Sequence, residues 1–413
     1  MDILEDEYAI GLDLRTTYSC IGVYKDGKVE IIKNKIDEST TPSIVILDND
    51  ANIFVGEDTT DYLVKKYDCC IYEIKRLIGR KYSDKEVQEE RKKLPFTIIQ
   101  SKDDSPMIEM MVGGIPLNYN PVEISSFIIK KMVNIAEDYL KQKITKLVIT
   151  VPAYFNDSQR ALTKQAAELC RLKVLRVINE PTAAALAYGF DKNDLKKEII
   201  LVFDLGGGTF DVSILSIEID KNNPNCIVYR VLGTAGDTHL GGEDFDNRLV
   251  DFFLNKKENN KDLLKKKEFI KDLKISCEKV KKILSEENET IFKNNSDEEK
   301  IIEKITRIEF EDICKDLFQK LENCLDEALI NAKLTKDDIN DVILIGGSTR
   351  IPKVKEIVRN YFQNIKDIKH KINPDEAVAY GATLEAEKLL HNKDDSISNF
   401  LLMDKTPLSL GKM

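Results

Sequence analysis

Val202-Phe203-Asp204-Leu205-Gly206-Gly207-Gly208-Thr209 is an apolar run that ends in Asp-Leu, breaks at three glycines and resumes at a threonine. Far upstream, Ile10-Gly11-Leu12-Asp13-Leu14-Arg15-Thr16-Thr17 has the same form. Each reads as a strand, a tight turn and a second strand. A second correspondence follows in the same order. Val148-Ile149-Thr150-Val151-Pro152 and Ile343-Leu344-Ile345-Gly346-Gly347 are both apolar strands that feed a helix. Two such matches in one order imply a duplicated α/β unit with a cleft between the copies.

The rest of the chain fills in this plan. Strands are predicted at 8–12, 18–24 and 28–33, with a turn at Asp26-Gly27, giving a meander. A helix starts at Asn120-Pro121, with Asn as cap, Pro in the first turn and Glu123 three residues on. The strand 146–151, a helix over 156–171, the strand 173–178 and a helix from Glu180 follow. The second half repeats with strands at 198–203, 209–217 and 226–232, then a helical region over 244–285 and a helix over 309–333. A strand at 341–345, a glycine turn and a helix over 352–362 close it. Residues 41–119 and 235–315 read as insertions into the two copies, and the Asn/Lys/Glu-rich stretch 293–300 reads as an exposed loop.

Composition narrows the function. The 413 residues suit two or three packed units, and 62 Lys and Arg against 72 Asp and Glu leave a formal charge of −10. That interspersed balance argues against a nucleic-acid partner, which needs a concentrated basic face. The first apolar stretch is interrupted by Asp13, Arg15 and Thr16, so no signal peptide is expected, and no run has the roughly 18 apolar residues of a membrane span. Eight cysteines without a CxxC pair and three scattered histidines argue against zinc and for reduced, intracellular thiols.

Two facing Asp-Leu-turn-Thr hairpins form a phosphate clamp, because backbone N–H groups of a glycine turn can point at anionic oxygens. Asp13 and Asp204, at the strand ends, would hold Mg²⁺ through water and not touch phosphate. The sequence has no P-loop, and Thr209 leads into a strand, so the glycines are no Rossmann fingerprint. Gly346-Gly347-Ser348-Thr349-Arg350 feeds a helix start and suits an adenosine or phosphate contact, or else is a plain connection. Glu278, Lys281 and Ser285 share one helix face, which in isolation reads as a solvated ion-pair stripe. Alone, Lys75 reads as a surface lysine, and Glu180 as an acid complementing a helix dipole.

Taken together, several segments resemble signatures of the seventy-kilodalton heat-shock chaperones. They are Tyr18–Cys20, Thr41–Ser43, Lys75–Arg80, Val151–Asp157, Asn179–Ala185, Asp204–Asp211, Gly236–Arg248, Gly346–Lys353 and Asn373–Ala382, in family order over nearly the whole chain. The resemblance implies an actin-like ATPase fold of two lobes around a nucleotide cleft, each with a peripheral subdomain. The first lobe's core would be residues 1–42 with 120–193 and 369–393, and its peripheral part 43–119. The second lobe's core would be 194–234 with 315–368, its peripheral part 235–314, and 394–413 an interdomain linker.

It implies further that Lys75 matches the catalytic lysine, and Thr16 and Thr209 the phosphate-contacting threonines. Asp13, Glu180 and Asp204 match the acids around magnesium and the attacking water. Glu278, Lys281, Ser285, Arg350 and Asp375 match the adenosine pocket, with Arg350 stacking on the base. Thr17, Tyr18, Gly207, Gly208, Gly347 and Ser348 lie on matching nucleotide-contact turns. Pro152 and Arg160 match positions that relay nucleotide state, and Arg176 part of the J-domain contact surface. The tail Phe400–Asp404 with Thr406–Gly411 resembles the linker, and the chain ends where a peptide-binding domain would begin.

The expected function is therefore slow hydrolysis of ATP to ADP by a cytoplasmic, monomeric chaperone module, with Mg²⁺ and, as a further candidate, K⁺. Its expected partners are a J-domain co-chaperone, a nucleotide exchange factor and, through a C-terminal domain, unfolded client peptides. No membrane is among them. Two departures stand out: Arg15 replaces the glycine of the family's Asp-Leu-Gly-Thr-Thr, and Lys405 replaces an apolar linker residue. If the turn needs positive φ, a side chain there costs about 1 kcal/mol or more. The alternative reading is a poorly hydrolysing, nucleotide-binding co-chaperone. A sugar kinase of the same superfamily is a third reading, and the chaperone signatures at 179–185 and 236–248 speak against it.

Overall fold

The computed structural model describes residues 8–59, 70–190, 197–224, 226–256, 267–295, 300–365, 373–391 and 399–404. Two sheets organise it. In the first the order is Lys173–Asn179, Lys146–Val151, Ala9–Asp13, Tyr18–Lys25, Lys28–Ile31, with Thr40–Pro42 also paired to Tyr18–Lys25. In the second it is Asp341–Ile345, Glu198–Leu205, Phe210–Ile219, Cys226–Asp237, Asn399–Met403. The duplication inferred from the sequence is visible in the pairing. In each sheet the first strand of an antiparallel meander takes a parallel neighbour on its other side. Asp13 and Asp204 thus sit at equivalent places, near the carboxyl ends of central strands, where open α/β sheets bind ligands.

Each sheet hides its apolar strand residues under helices, with separate clusters around Ile10, Leu12 and Ile149 and around Phe203, Phe245 and Leu321. A third cluster lies between the sheets. There the alanine-rich helices Glu180–Phe190 and Ala377–Leu390 cross, the second packing on Ala9–Asp13 and the first on Glu198–Leu205. They cross closely: a β-carbon on Gly381 would lie 1.8 Å from the Ala183 carbonyl oxygen, so only glycine fits. The insertions carry smaller antiparallel sheets, built from Ile53–Val55, Val45–Leu47 and Cys70–Ile71, from Ile115–Tyr119, Pro106–Val112 and Thr97–Gln100, and from Glu289–Lys293 and Ile302–Thr306.

Local signals act as predicted at Asn120, which caps Pro121–Leu140 in a reciprocal pair with Glu123. Elsewhere the structure departs. The helix expected over 309–333 is two, Arg307–Ile313 and Lys315–Ala332, broken at Cys314. The break lets Phe310 and Phe318, one from each piece, both reach Phe245, with ring centroids 6.2 and 5.2 Å away. Of the expected loop 293–300, residues 296–299 lie outside the described residues. Asn294 beside it is buried and accepts a hydrogen bond from the Ile301 amide. Of the expected linker, 394–398 and 405–413, Lys405 included, lie outside the described residues. No described helix is long and apolar enough to cross a membrane.

Candidate functional site

The two hairpins meet at their turns. Gly206 N–H closes the second turn on the Thr209 carbonyl (3.0 Å), so Thr209 belongs to the turn and the strand begins at Phe210. The turn is held from outside: Gly206 O accepts from the Gly242 amide and from Ser348 Oγ, both at 2.9 Å, and Gly207 O accepts from the Glu243 amide. Gly242 and Glu243 open the helix Gly242–Asn255. A β-carbon on Gly207 would lie 2.2 Å from Thr17 Oγ1, so the first turn packs directly against the second. Thr16 is buried beside it.

Arg15 needs no left-handed backbone. Its φ is not among the positive values of the chain, and neither is that of Gly206, its counterpart in the second turn. The strain foreseen for a side chain at this position is therefore absent.

Lys75 is a buried cation, 7% exposed, and not a surface lysine. Glu73, in a left-handed conformation (φ 56°), turns the chain into the short helix Ile74–Arg76. From there Lys75 Nζ reaches Glu180 Oε1 at 2.6 Å and donates to the Leu14 carbonyl in the first hairpin. Arg76 is equally buried and joins the two copies: Nη1 donates to Glu90 (2.9 Å) and Nη2 to the Gly208 carbonyl (3.0 Å).

Around these cations stand Asp13, Glu180, Asp204 and Asp211, all buried. Asp13 accepts from Thr150 Oγ1 at 2.9 Å and pairs with Arg15. Burial raises the Asp13 carboxyl, against the lowering pull of Arg15. Burial likewise pushes Asp204 up to about 7, with Arg15 opposing and Glu180 and Asp13 adding to the rise. Asp211, directly across the hairpin from Asp204, is raised well above the usual range by burial and by Asp204. Asp211 was not singled out in the sequence; its register opposite Asp204 is the signal that could have found it.

The remaining candidates form two groups. In the helix Lys267–Glu286, Lys281 is buried, not solvated: its Nζ donates to Asp246 (2.6 Å) and to the Gly242 carbonyl (2.7 Å). Ser285 turns its hydroxyl back to the Lys281 carbonyl. Glu278 pairs with Lys282 at 2.7 Å, and Lys282 stands over the Tyr18 ring. Ser348 and Lys281 come together around Gly242, whose added β-carbon would lie 2.5 and 3.1 Å from them. The second group is Arg350 with Asp375 (2.8 Å) and Asn373, next to Gly347, whose β-carbon would lie 3.3 Å from Asp375. Arg350 is half exposed.

Away from the turns, Arg160 bonds the Phe155 and Ala153 carbonyls just after Pro152, and Arg176 pairs with Glu385.

The acids are expected to hold hydrated Mg²⁺, and Arg15 sets a cation of the chain's own among them. Asp13 already pairs with the Arg15 guanidinium, a fixed cation on a carboxylate that would face the ion.

Comparison with known proteins gives one consistent answer. A protein family described as Hsp70 protein matches residues 9–412. The chain is 45% identical over 410 residues to heat shock cognate 70 kDa protein 3 of Dictyostelium discoideum, covering 98% of this chain and 64% of that one. It is 44% identical over 408 residues to heat shock 70 kDa protein 2 of Paracoccidioides lutzii, covering 98% and 61%. To the heat shock 70 kDa protein of Neurospora crassa it is 45% identical over 408 residues, covering 98% and 62%. The chain thus spans less than two thirds of the length of these relatives.

Proposed function

This chain belongs to the Hsp70 protein family, and we propose that it is the adenine-nucleotide-binding ATPase module of a molecular chaperone. The fold is that of the actin-like ATPases, two lobes around a cleft. One observation carries the reading: the turns of the two lobes abut at Thr17 and Gly207, and the buried Lys75–Glu180 pair is tied to the first of them through Leu14.

In this reading the phosphates of ATP lie against the two turns, whose amides donate to their oxygens. Thr16 and Thr209 add hydroxyl donors. The Lys75 ammonium offsets charge developing on the transferred phosphoryl group, while Glu180, Asp204 and Thr209 order the attacking water. Adenosine is held by Glu278, Lys281, Ser285, Gly347, Ser348, Arg350 and Asp375, with Tyr18 at its edge. The work is positioning and electrostatics, and turnover is slow. Arg15, paired with Asp13, sets a cation of the chain's own beside these acids.

Nucleotide state passes outward along the helix that Glu180 opens. Thr182, two residues on, donates to Asp404 at 2.6 Å, at the end of the strand Asn399–Met403. Through that linker it would reach a peptide-binding part, with a J-domain protein (near Arg176) and an exchange factor as partners, in the cytoplasm. Calorimetric titration with ADP and GDP tests the binding step. ADP is expected to bind and GDP to bind far more weakly; no heat with ADP would refute the reading.

A further inference from the structure

Arg15 stands in the first turn where the second turn has Gly206, and its side chain goes inward, 14% exposed. Nε pairs with Asp13, and Nη2 is buried with no hydrogen-bond partner. A guanidinium is planar and always charged, with two donor edges. Here Nε faces a carboxylate while Nη2 keeps its protons for an anionic oxygen.

Burial disfavours the Arg15 cation, and the negative charges of Asp13, Asp204, Glu180 and Asp375 offset this and keep it protonated. Those acids include the set that would otherwise hold a divalent cation. A second cation on the same carboxylates would meet a like charge that cannot leave, since arginine does not deprotonate in proteins.

We propose that the Arg15 guanidinium replaces the divalent cation in this site, so that the chain binds ADP and ATP through a resident charge and without Mg²⁺. The inference rests on the nucleotide-binding reading and goes beyond it. A released ion is exchanged for a fixed one, so nucleotide affinity becomes independent of metal supply. The second lobe keeps its share of the clamp, since Gly206 leaves that turn open while Arg15 fills the first from within.

The test is ADP affinity by calorimetry in excess Mg²⁺ and in excess EDTA, for the unaltered chain and for Arg15→Gly. The unaltered chain is expected to change by less than about threefold between the two buffers, and Arg15→Gly to bind at least about tenfold more tightly with Mg²⁺ than without it. A loss of about tenfold or more by the unaltered chain in EDTA overturns the inference while leaving nucleotide binding intact. Absence of ADP binding in both buffers overturns nucleotide binding itself, and the inference with it. The unaltered chain alone decides between these outcomes, whatever the folding of the variant.

Discussion

Lys75 Nζ and Glu180 Oε1 lie 2.6 Å apart across 105 residues of sequence, both side chains buried. The pair joins the first insertion to the start of the helix that crosses between the sheets. A buried ion pair of this kind contributes little net stability, but removing one partner strands the other's charge. Lys75→Met should therefore destabilise the fold by about 3 kcal/mol, read as a lowered urea midpoint. Lys75→Met with Glu180→Gln together should cost less than the lysine change alone.

Glycine positions around the turns separate close packing from mere flexibility. A β-carbon on Gly241 would lie 2.5 Å from the Gly207 backbone, whereas one on Gly206 meets nothing nearer than 3.7 Å. Gly241→Ala should push the second turn and weaken ADP binding by about tenfold or more, while Gly206→Ala stays within about twofold. Calorimetry on the two variants checks this. Equal losses would mean the turns are not the phosphate site.

Asp246 provides a pH dependence. Burial, with Glu278 adding and Lys281 opposing, raises its carboxyl from 3.8 to about 6. The folded chain then holds a proton that the unfolded chain has lost between those values, so stability falls as pH rises through that window. Asp246→Asn should remove that slope, on the order of 3 kcal/mol at most across the window. The difference between the two melting-temperature profiles from pH 4 to 7 reads it. An unchanged slope would place the carboxyl in a less buried setting.

The contact between Thr182 and Asp404 bears on the linker. Thr182→Val removes a partly buried hydrogen bond worth about 1 kcal/mol and should speed amide hydrogen exchange in Asn399–Met403. Exchange unchanged there would show that the strand is held by its pairing with Cys226–Asp237 alone.

What the sequence made legible was local or repeated. The Asp-Leu-turn-Thr hairpins declared themselves because each is a short pattern present twice, and Asn120 because a cap acts within one turn. Contacts made across the fold were not readable from the residues alone. Spacing put Glu278, Lys281 and Ser285 on one helix face, but nothing local says that Asp246 and Gly242 cover Lys281. Arg76 meets Gly208 across 132 residues, and its run of sequence names no such partner. The Arg15 substitution was plain, yet whether its turn needed glycine depended on a φ angle that only the fold supplies. The family resemblance singles out Lys75 and Lys281, which spacing alone does not, because it carries tertiary context that periodicity lacks.

Single-turnover ATP hydrolysis by the unaltered chain and by Lys75→Ala tests the central claim most directly. The account predicts slow but definite conversion of ATP to ADP and phosphate, reduced about a hundredfold or more by Lys75→Ala with ADP still bound. Hydrolysis at the same rate in Lys75→Ala, or tight ATP binding with no turnover by the unaltered chain, would contradict it.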